Sequence, residues 1–394
     1  MKQRTAAFLA SITVAVTAVM AAATTSASDI QLTPLVADVL WAPQPVRGSD
    51  GHSHLVYELR LANPTPLAIS LEKVEVLDGG GAIVATLGKD AVGQRFSIGG
   101  RRGAEATSLA VGQFGVLFLH VPIESTQIPP TALTHRVSGS LAGPNVPSRS
   151  FTLTVGPTRV ADETRLVLGP PLVGEGYLAG DGCCDSIRHV RALLPLDGRF
   201  ALAQRFAIDW EQVGADRRLV KGDLKKVENY NIFGKDVIAV ADGTVVATRN
   251  DLPEQVPGAL PEGLPVDEAD GNFVVLDIGN GAYALFAHMQ PGSVRVTAGA
   301  KVKRGDVLGK VGNTGNTSAP HLHFHVMDGP SPLLSNGIPY VIDRFRTVAV
   351  ATAGTADFDK AEATGSPLTL ATQDRPPALQ RVLPMDLTVV DFPK

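Results

Sequence analysis

Apolar and polar residues alternate along many short segments of this chain, which is the pattern expected for half-buried β-strands. In the segment "HLVYELRLAN" every second residue from Leu55 to Leu61 is apolar, whereas Glu58 lies on the opposite face. The segments "SLEKVEVLD", "FGVLFLHVPI" and "RSFTLTVGP" predict further strands, and "NPTP", "DGGG" and "GGRRG" mark turns between them. Short strands at this spacing predict a β-sandwich domain over residues 29–156.

The second half of the chain is also rich in predicted strands, and we assign residues 157–350 to a second β domain. The segment "NFVVLDIGNGAYALFAHM" predicts a hairpin with a "GNG" turn and a second strand that ends at His288. The segments "RHVRALLPL" and "RFALAQRFAIDW" predict two strands joined at "DG", a favoured hairpin turn. Residues 351–394 are interpreted as an irregular tail with one candidate closing strand, "DLTVVDF". The chain is therefore predicted to be all-β.

The composition fits two packed domains and disfavours a nucleic-acid-binding protein. The chain has 394 residues, of which 44% are hydrophobic, and it contains 40 glycines and 28 prolines. This length exceeds that of one ordinary domain, and frequent glycine and proline suit short strands joined by turns. The formal charge is -4, and no basic run follows the first few residues. No nucleic-acid partner is therefore expected.

The first residues have the pattern of an export signal, which we assign to residues 1–28. Two positive charges in "MKQRT" precede the apolar run "AAFLASITVAVTAVMAAA", and "TTSAS" offers small residues for cleavage near Ala27 or Ser28. The alternative is a membrane anchor, but the run is short for a spanning helix. No later segment is long and apolar enough to span a membrane. The mature protein is expected to be exported, to a periplasm or out of the cell, with no membrane span.

The only two cysteines, Cys183 and Cys184, are adjacent in the sequence. This arrangement excludes a disulfide framework and leaves a bond between the two neighbours, or pairing between chains, in an oxidising compartment. Binding of one metal by both thiolates is the less favoured alternative, because neighbouring side chains on an extended chain point apart.

Three of the nine histidines alternate within "SAPHLHFHV", as His321, His323 and His325. On a strand they share one face, and Leu322 and Phe324 point to the other. Packing does not explain three imidazoles in a row, whereas a metal does, since imidazole is a common metal ligand. The alternative is a solvated face or an accidental tract. Four more histidines are scattered in the first half and are interpreted as surface or loop residues: His52, His54, His120 and His135.

Three segments together resemble the lysostaphin/LytM-type zinc metallopeptidases of bacterial cell walls: "GKDVIAVADGTVVA", "GNFVVLDIGNGAYALFAHMQPGSVRV" and "AGAKVKRGDVLGKVGNTGNTSAPHLHFHV". With the strand before them, the resemblance covers roughly residues 201–326 and leaves the first half uncovered. It implies a lysostaphin-type antiparallel β-sheet peptidase domain after the sandwich. It also implies a zinc-dependent endopeptidase that hydrolyses amide bonds in peptidoglycan peptides with a zinc-activated water.

The resemblance also implies roles for individual residues. The family's H-x-H strand matches His321-Leu322-His323, which makes His323 a zinc ligand and gives His321 a catalytic role beside the metal. The family's "YAH" segment matches "FAH", so His288 is the second catalytic histidine. The strand with the family's ligand aspartate matches "RFAIDW", which makes Asp209 the carboxylate ligand.

The sequence departs from the family pattern at the third ligand. The family has H-x-x-x-D, but Arg205 stands four residues before Asp209, and a polar insertion follows Asp209. We predict that His189 replaces the missing histidine, because the "DG" hairpin could bring it near Asp209. The alternative is an exposed histidine between two arginines. His325, where the family usually has Glu, either supports His323 from behind or is a surface residue.

Two other functions stay open at this point. The missing histidine favours a catalytically degenerate relative that binds cell wall or regulates another wall hydrolase. The segment "VKRGDVLG" also resembles biotinyl and lipoyl carrier domains, which lack an H-x-H strand. The expected partner is peptidoglycan or a peptide substrate, and a regulatory protein partner is neither predicted nor excluded.

Overall fold

Strands dominate the structure, a computed structural model that describes residues 32–99 and 106–393. The all-β prediction is confirmed. The predicted signal peptide and most of the "GGRRG" turn lie outside the described residues. Contacts group Pro34–Lys394 into one unit. Among the described residues, no helix has the length and apolar character needed to cross a membrane.

The described residues of the first part of the chain form ten strands and one helix. In chain order they are β1 (Val36–Val39), β2 (Val46–Arg47), β3 (Ser53–Ala62), β4 (Ala68–Asp78), β5 (Ile83–Gly88), α1 (Lys89–Arg95), β6 (Phe96–Ile98), β7 (Ser108–Leu109), β8 (Phe114–Ile123), β9 (Ala132–Gly143) and β10 (Val146–Arg159).

These ten strands form two five-stranded sheets. One has the order β1-β3-β8-β6, with β2 also paired to β3, and the other has the order β10-β9-β4-β5, with β7 also paired to β4. Leu55, Tyr57 and Leu59 of β3 point into the core, where they are at most 1% exposed. Each such side chain contributes roughly 1.5–3 kcal/mol on burial. The alternate residues of β3, including Glu58, face away from this core.

The second part of the chain forms seventeen strands, one α-helix and two short 3-10 turns (Val227–Asn229 and Val266–Glu268). The α-helix and the strands are β11 (Val167–Leu168), β12 (Gly174–Gly180), β13 (Leu194–Leu196), β14 (Arg199–Ala201), β15 (Ile208–Gln212), β16 (Asp236–Ile238), β17 (Gly243–Arg249), β18 (Asn272–Gly279), β19 (Ala282–Met289), β20 (Lys301–Val302), β21 (Val307–Lys310), β22 (Leu322–Met327), β23 (Val341–Ile342), β24 (Phe345–Ala351), α2 (Thr355–Thr364), β25 (Leu370–Thr372), β26 (Ala378–Leu379) and β27 (Thr388–Phe392).

Eleven of these strands form one sheet with the order β20-β17-β18-β19-β22-β15-β12-β27-β24-β25, and β26 also pairs with β24. Its ladders are antiparallel. The predicted β18–β19 hairpin forms and turns through Asn280 and Gly281. The predicted "DG" hairpin forms only at its turn, Asp197 and Gly198, and pairs the three-residue strands β13 and β14 rather than the full segments. All four turn residues have positive φ, between 47° and 74°, as two-residue type I′ turns require.

The C-terminal segment differs from the irregular tail that the sequence suggested. The "DLTVVDF" segment contributes β27, which lies inside the large sheet between β12 and β24. The helix α2 was not predicted, because only Phe358 and Ala361 give it a buried face. The C-terminal segment therefore adds strands to the large sheet and a helix that packs against it.

The sandwich packs against the second part of the chain. Val46 and Val56, on the outer side of the β2–β3 sheet, belong to the same core cluster as Cys183 and Cys184. The backbone of the sandwich is also tied to the C-terminal segment, since the Leu383 amide donates to the Arg47 carbonyl at 2.8 Å.

Candidate metal centre

The H-x-H strand and the aspartate strand are neighbours in the large sheet. In the β15–β22 ladder Asp209 lies directly opposite His323, and in the β19–β22 ladder Ala287 lies opposite His323. Residues opposite each other in a ladder point to the same face of the sheet. The sheet thus brings the side chains of Asp209 and His323 together, although 114 positions separate them in sequence.

Two imidazoles converge on the Asp209 carboxylate, those of His323 and His189. His323 Nδ1 lies 2.8 Å from Asp209 Oδ1, and His189 Nε2 lies 3.3 Å from Asp209 Oδ2. One ligand atom from each of the three residues lies within 4.8 Å of the others. Two imidazoles and one carboxylate form a donor set typical of catalytic zinc, with a fourth position left for water or substrate. The residues present therefore fit the metal that the sequence suggested.

His189 reaches this cluster from a loop. It follows β12 and precedes the β13–β14 hairpin, which forms but does not itself carry His189. The His189 Nδ1–H group donates to the Asp181 carbonyl at 2.9 Å, so Nε2 is directed toward Asp209. The Asp181 carboxylate accepts from Ser186 and Arg188 and so fixes the loop. His189 is 6% exposed, and its interpretation as an exposed histidine is therefore wrong.

A further histidine orients His323. His325 is fully buried, and its Nδ1 lies 2.9 Å from Nε2 of His323. With His323 Nε2–H as donor, its Nδ1 keeps a lone pair for a metal. Such partners behind a ligand fix its tautomer and ring orientation. The surface interpretation of His325 is wrong.

His288 and His321 stand side by side next to this cluster, with ring centroids 4.6 Å apart. His288 Nδ1–H donates to the Thr314 carbonyl at 2.7 Å, and His321 Nδ1–H donates to the Ala319 carbonyl at 2.8 Å. His288 has a φ of 59°, which residues other than glycine rarely adopt. Such backbone strain persists where surrounding structure enforces it and is frequent at functional sites.

Burial and the Asp209 charge set the protonation of these groups. Burial acts to raise the pKa of Asp209, but His189 and His321 outweigh it and hold the pKa well below its usual value. Burial acts to lower the pKa of His189, but Asp209 outweighs it and raises the pKa to about 9. A metal at this site must therefore displace a proton from His189. Burial, with a smaller effect of His321, lowers the pKa of His288 well below its usual value.

Loops and the helix α2 wall the site. The Gly258 amide donates to the Ser318 carbonyl at 2.8 Å, which ties the proline-rich loop after β17 to the segment before His321. Glu362 of α2 accepts from the Ser318 hydroxyl at 2.8 Å. The side chains of Asp209 and His321 remain 17% and 12% exposed. Sequence reasoning missed Glu362, because nothing local to its segment indicated proximity to the histidines.

Arg205, at the position of the family's missing ligand, is not part of the site. Its guanidinium is 4% exposed and forms two hydrogen bonds of 2.8 Å with the Glu58 carboxylate, in the sandwich. It also donates to the Asn336 side chain and the Gly337 carbonyl. The side chain therefore joins the sandwich to the large sheet, and His189 occupies the space beside Asp209.

The fold and this cluster define an antiparallel β protein with a candidate three-ligand metal centre, and comparison with known proteins supplies the family. Residues 229–334 match the model of Peptidase family M23. The chain thus contains a Peptidase family M23 domain, which includes His288, His321 and His323. His189 and Asp209 precede the matched residues.

Curated relatives share part of the chain. Over 193 residues it is 30% identical to the peptidoglycan DD-endopeptidase ShyA of Vibrio cholerae, which covers 43% of this chain and 40% of that protein. Over 133 residues it is 29% identical to the DD-carboxypeptidase/endopeptidase Mpg of Neisseria meningitidis, covering 29% of this chain and 30% of that protein. The chain thus spans well under half the length of these relatives.

A solved structure gives a weaker likeness. The catalytic domain of lysostaphin from Staphylococcus simulans is 20% identical, covers 42% of this chain and 88% of that domain, and superposes with a TM-score of 0.23. The match to the family model, and not this superposition, identifies the domain.

Proposed function

We propose that the chain is a zinc-dependent endopeptidase that hydrolyses amide bonds in peptidoglycan peptides. The convergence of His189 Nε2, the Asp209 carboxylate and His323 Nδ1 carries the proposal. The substrate class is supported by the M23 domain and by relatives named as peptidoglycan endopeptidases. Export, to a periplasm or out of the cell, stays the prediction from the sequence and suits that substrate.

His189, Asp209 and His323 would hold the metal. When bound, zinc acidifies a water molecule and polarises the scissile carbonyl. The loop anchored by Asp181 and the partner His325 keep the two ligand imidazoles aimed at one point. Rigid ligands of this kind favour catalysis, because little reorganisation is needed as substrate binds.

The two assisting histidines differ in protonation. His288 is neutral and donates through Nδ1, so its Nε2 lone pair can accept the proton of the attacking water. Burial acts to lower the pKa of His321, but Asp209 outweighs it and raises the pKa. His321 therefore favours a protonated Nε2, which can donate to the oxygen that becomes negative in the transition state. Opposite shifts of neighbouring groups are typical of paired acid and base roles.

The test is zinc content together with release of soluble peptides from purified peptidoglycan, on the full chain with its disulfide intact. We expect about one tightly bound zinc per chain, lost in both His189→Ala and His323→Ala. His288→Ala should keep its zinc and lose activity by a factor of about 10²–10⁴. His52→Ala, a histidine remote from the centre, is the matched control.

The outcomes separate the candidate functions. Zinc lost with His323→Ala but not with His189→Ala would remove His189 from the ligand set. Zinc binding without release of any peptide would favour the degenerate, wall-binding or regulatory relative. No zinc in the parent chain, even with excess metal, would overturn the enzyme proposal.

A further inference from the structure

A second cluster of side chains of metal-ligating types lies between the sandwich and the large sheet. His54 of β3 and His120 of β8 are on neighbouring strands, with His54 Nδ1 2.9 Å from His120 Nε2. Cys184 approaches from the loop after β12, and the three ligand atoms lie within 4.8 Å of one another. No local pattern indicates this cluster, since its members are scattered over 131 positions and the two histidines were interpreted as surface or loop residues.

The burial and hydrogen bonding of His54 resemble those of a metal-bound histidine. His54 is 1% exposed, and its other nitrogen, Nε2, lies 3.0 Å from Asp50 Oδ1. A carboxylate on the far nitrogen holds the proton there and leaves Nδ1 with a lone pair aimed at His120. This carboxylate–histidine pairing is the arrangement found behind metal-bound histidines. In the structure His120 Nε2–H donates a hydrogen bond to the lone pair of His54 Nδ1, and a bound metal ion would replace this proton.

Cys184 completes the set only when it is reduced. It is 4% exposed and is bonded to Cys183 in the structure. A disulfide sulfur is a poor ligand, whereas a thiolate binds metal strongly. The cluster also balances charge: a divalent cation, one thiolate and the Asp50 carboxylate sum to zero. A buried site of this kind avoids the cost of an uncompensated charge.

We propose that reduction of the Cys183–Cys184 disulfide opens a second metal site, in which His54 Nδ1, His120 Nε2 and the Cys184 thiolate bind a thiophilic divalent cation of the zinc class. A dithiol reductant gives two protons and two electrons to the disulfide, which becomes two thiols while the reductant becomes a disulfide. Coordination then releases the Cys184 thiol proton and forms the sulfur–metal bond. Two imidazoles and a thiolate suit Zn²⁺ and its cobalt substitute.

Cobalt(II) absorption tests the site without any assay of activity. A thiolate bound to Co²⁺ absorbs strongly in the near ultraviolet, and the chain has no cysteine besides Cys183 and Cys184. The candidate centre at Asp209 therefore cannot give this signal. The Cys183→Ser variant leaves Cys184 unable to form the disulfide, and we expect it to show the band without reductant. The reduced parent chain, freed of dithiol under anaerobic conditions, should show the band, and the oxidised chain should not.

Matched variants assign the ligands. In the Cys183→Ser background, His120→Gln and Asp50→Asn should each weaken cobalt binding by about 10-fold or more. Asp38→Asn, which removes an exposed carboxylate of the sandwich that pairs with Arg60, should leave the band unchanged. Circular dichroism checks that each variant is folded. Absence of the band in folded Cys183→Ser and in the reduced parent, or a band of unchanged affinity after both His54→Gln and His120→Gln, would overturn the proposal.

Discussion

Replacing Glu58 by Gln should destabilise the protein strongly, because it leaves the Arg205 guanidinium buried without its counter-charge. Glu58 is fully buried and Arg205 is 4% exposed. The carboxylate accepts from Nε and Nη2 of Arg205 at 2.8 Å each, in a bidentate pair. The remaining nitrogen donates to neutral acceptors on Asn336 and Gly337, which do not balance the charge.

The magnitude follows from these contacts. Each hydrogen bond to a charged group contributes about 1.5–3 kcal/mol, and breaking a buried ion pair from one side costs about 3–5 kcal/mol. Glutamine still offers one oxygen, so we expect a loss near the lower limit, about 3 kcal/mol. The double variant Glu58→Gln/Arg205→Met removes the buried charge and should recover much of this loss.

Urea unfolding of the oxidised chain measures the effect as a lower midpoint at unchanged slope. Asp38→Asn is the matched control, since Asp38 and Arg60 form a pair in the same sandwich that is 45% and 42% exposed. That variant should cost about 0.2–1 kcal/mol. The reasoning is refuted if Glu58→Gln costs no more than the control, or if the double variant is no more stable than the single one.

Three further predictions concern the surroundings of the candidate centre. Burial raises the pKa of Asp270 to about 7, so the folded state holds this proton more tightly than the unfolded state and stability falls as pH rises from about 4 through 7. Asp270→Asn should remove this loss of stability, which amounts to about 2–4 kcal/mol above pH 7. A stability difference between the variant and the parent chain that is the same at pH 4 and pH 8 would contradict this prediction. Gly271→Ala should destabilise the protein by more than about 1 kcal/mol, because φ is 63° and the new Cβ would clash with the Thr314 carbonyl oxygen; a normal melting temperature would argue against this. His325→Leu should lower zinc affinity about 10–100-fold, measured by chelator competition, by removing the partner of His323; unchanged affinity would leave His325 without that role.

Local patterns predicted much of the fold. The alternation in β3 and the "GNG" and "DG" turns are signals contained within a few residues, and the corresponding strands and hairpins form. The H-x-H pattern likewise depends only on the two-residue period of a strand. The pattern places His323 and His325 on the same face of that strand, whatever the position of the strand in the sheet.

Long-range partners could not be predicted in this way. Arg205 pairs with Glu58 from 147 positions away, and the contact depends on how the sandwich packs against the sheet. His189 was expected to approach Asp209 through a strand pairing, but it arrives on a loop held by hydrogen bonds to Asp181. The pairing of His54 with His120 depends on the β3–β8 register, which the sequence does not display.

The loop that carries His189 is held by parts of the chain outside the residues that match the family model. Arg191 donates to the Gln94 carbonyl at the end of α1, and Asp185 pairs with Arg95. Arg188 donates to Asp359 of α2. His189, the proposed replacement for the histidine of the family's H-x-x-x-D pattern, lies on this loop, and the sandwich and the C-terminal segment fix the loop from two sides. Because a loop ligand is only as rigid as its supports, the sandwich has a physical role in the candidate centre without contributing a residue to it.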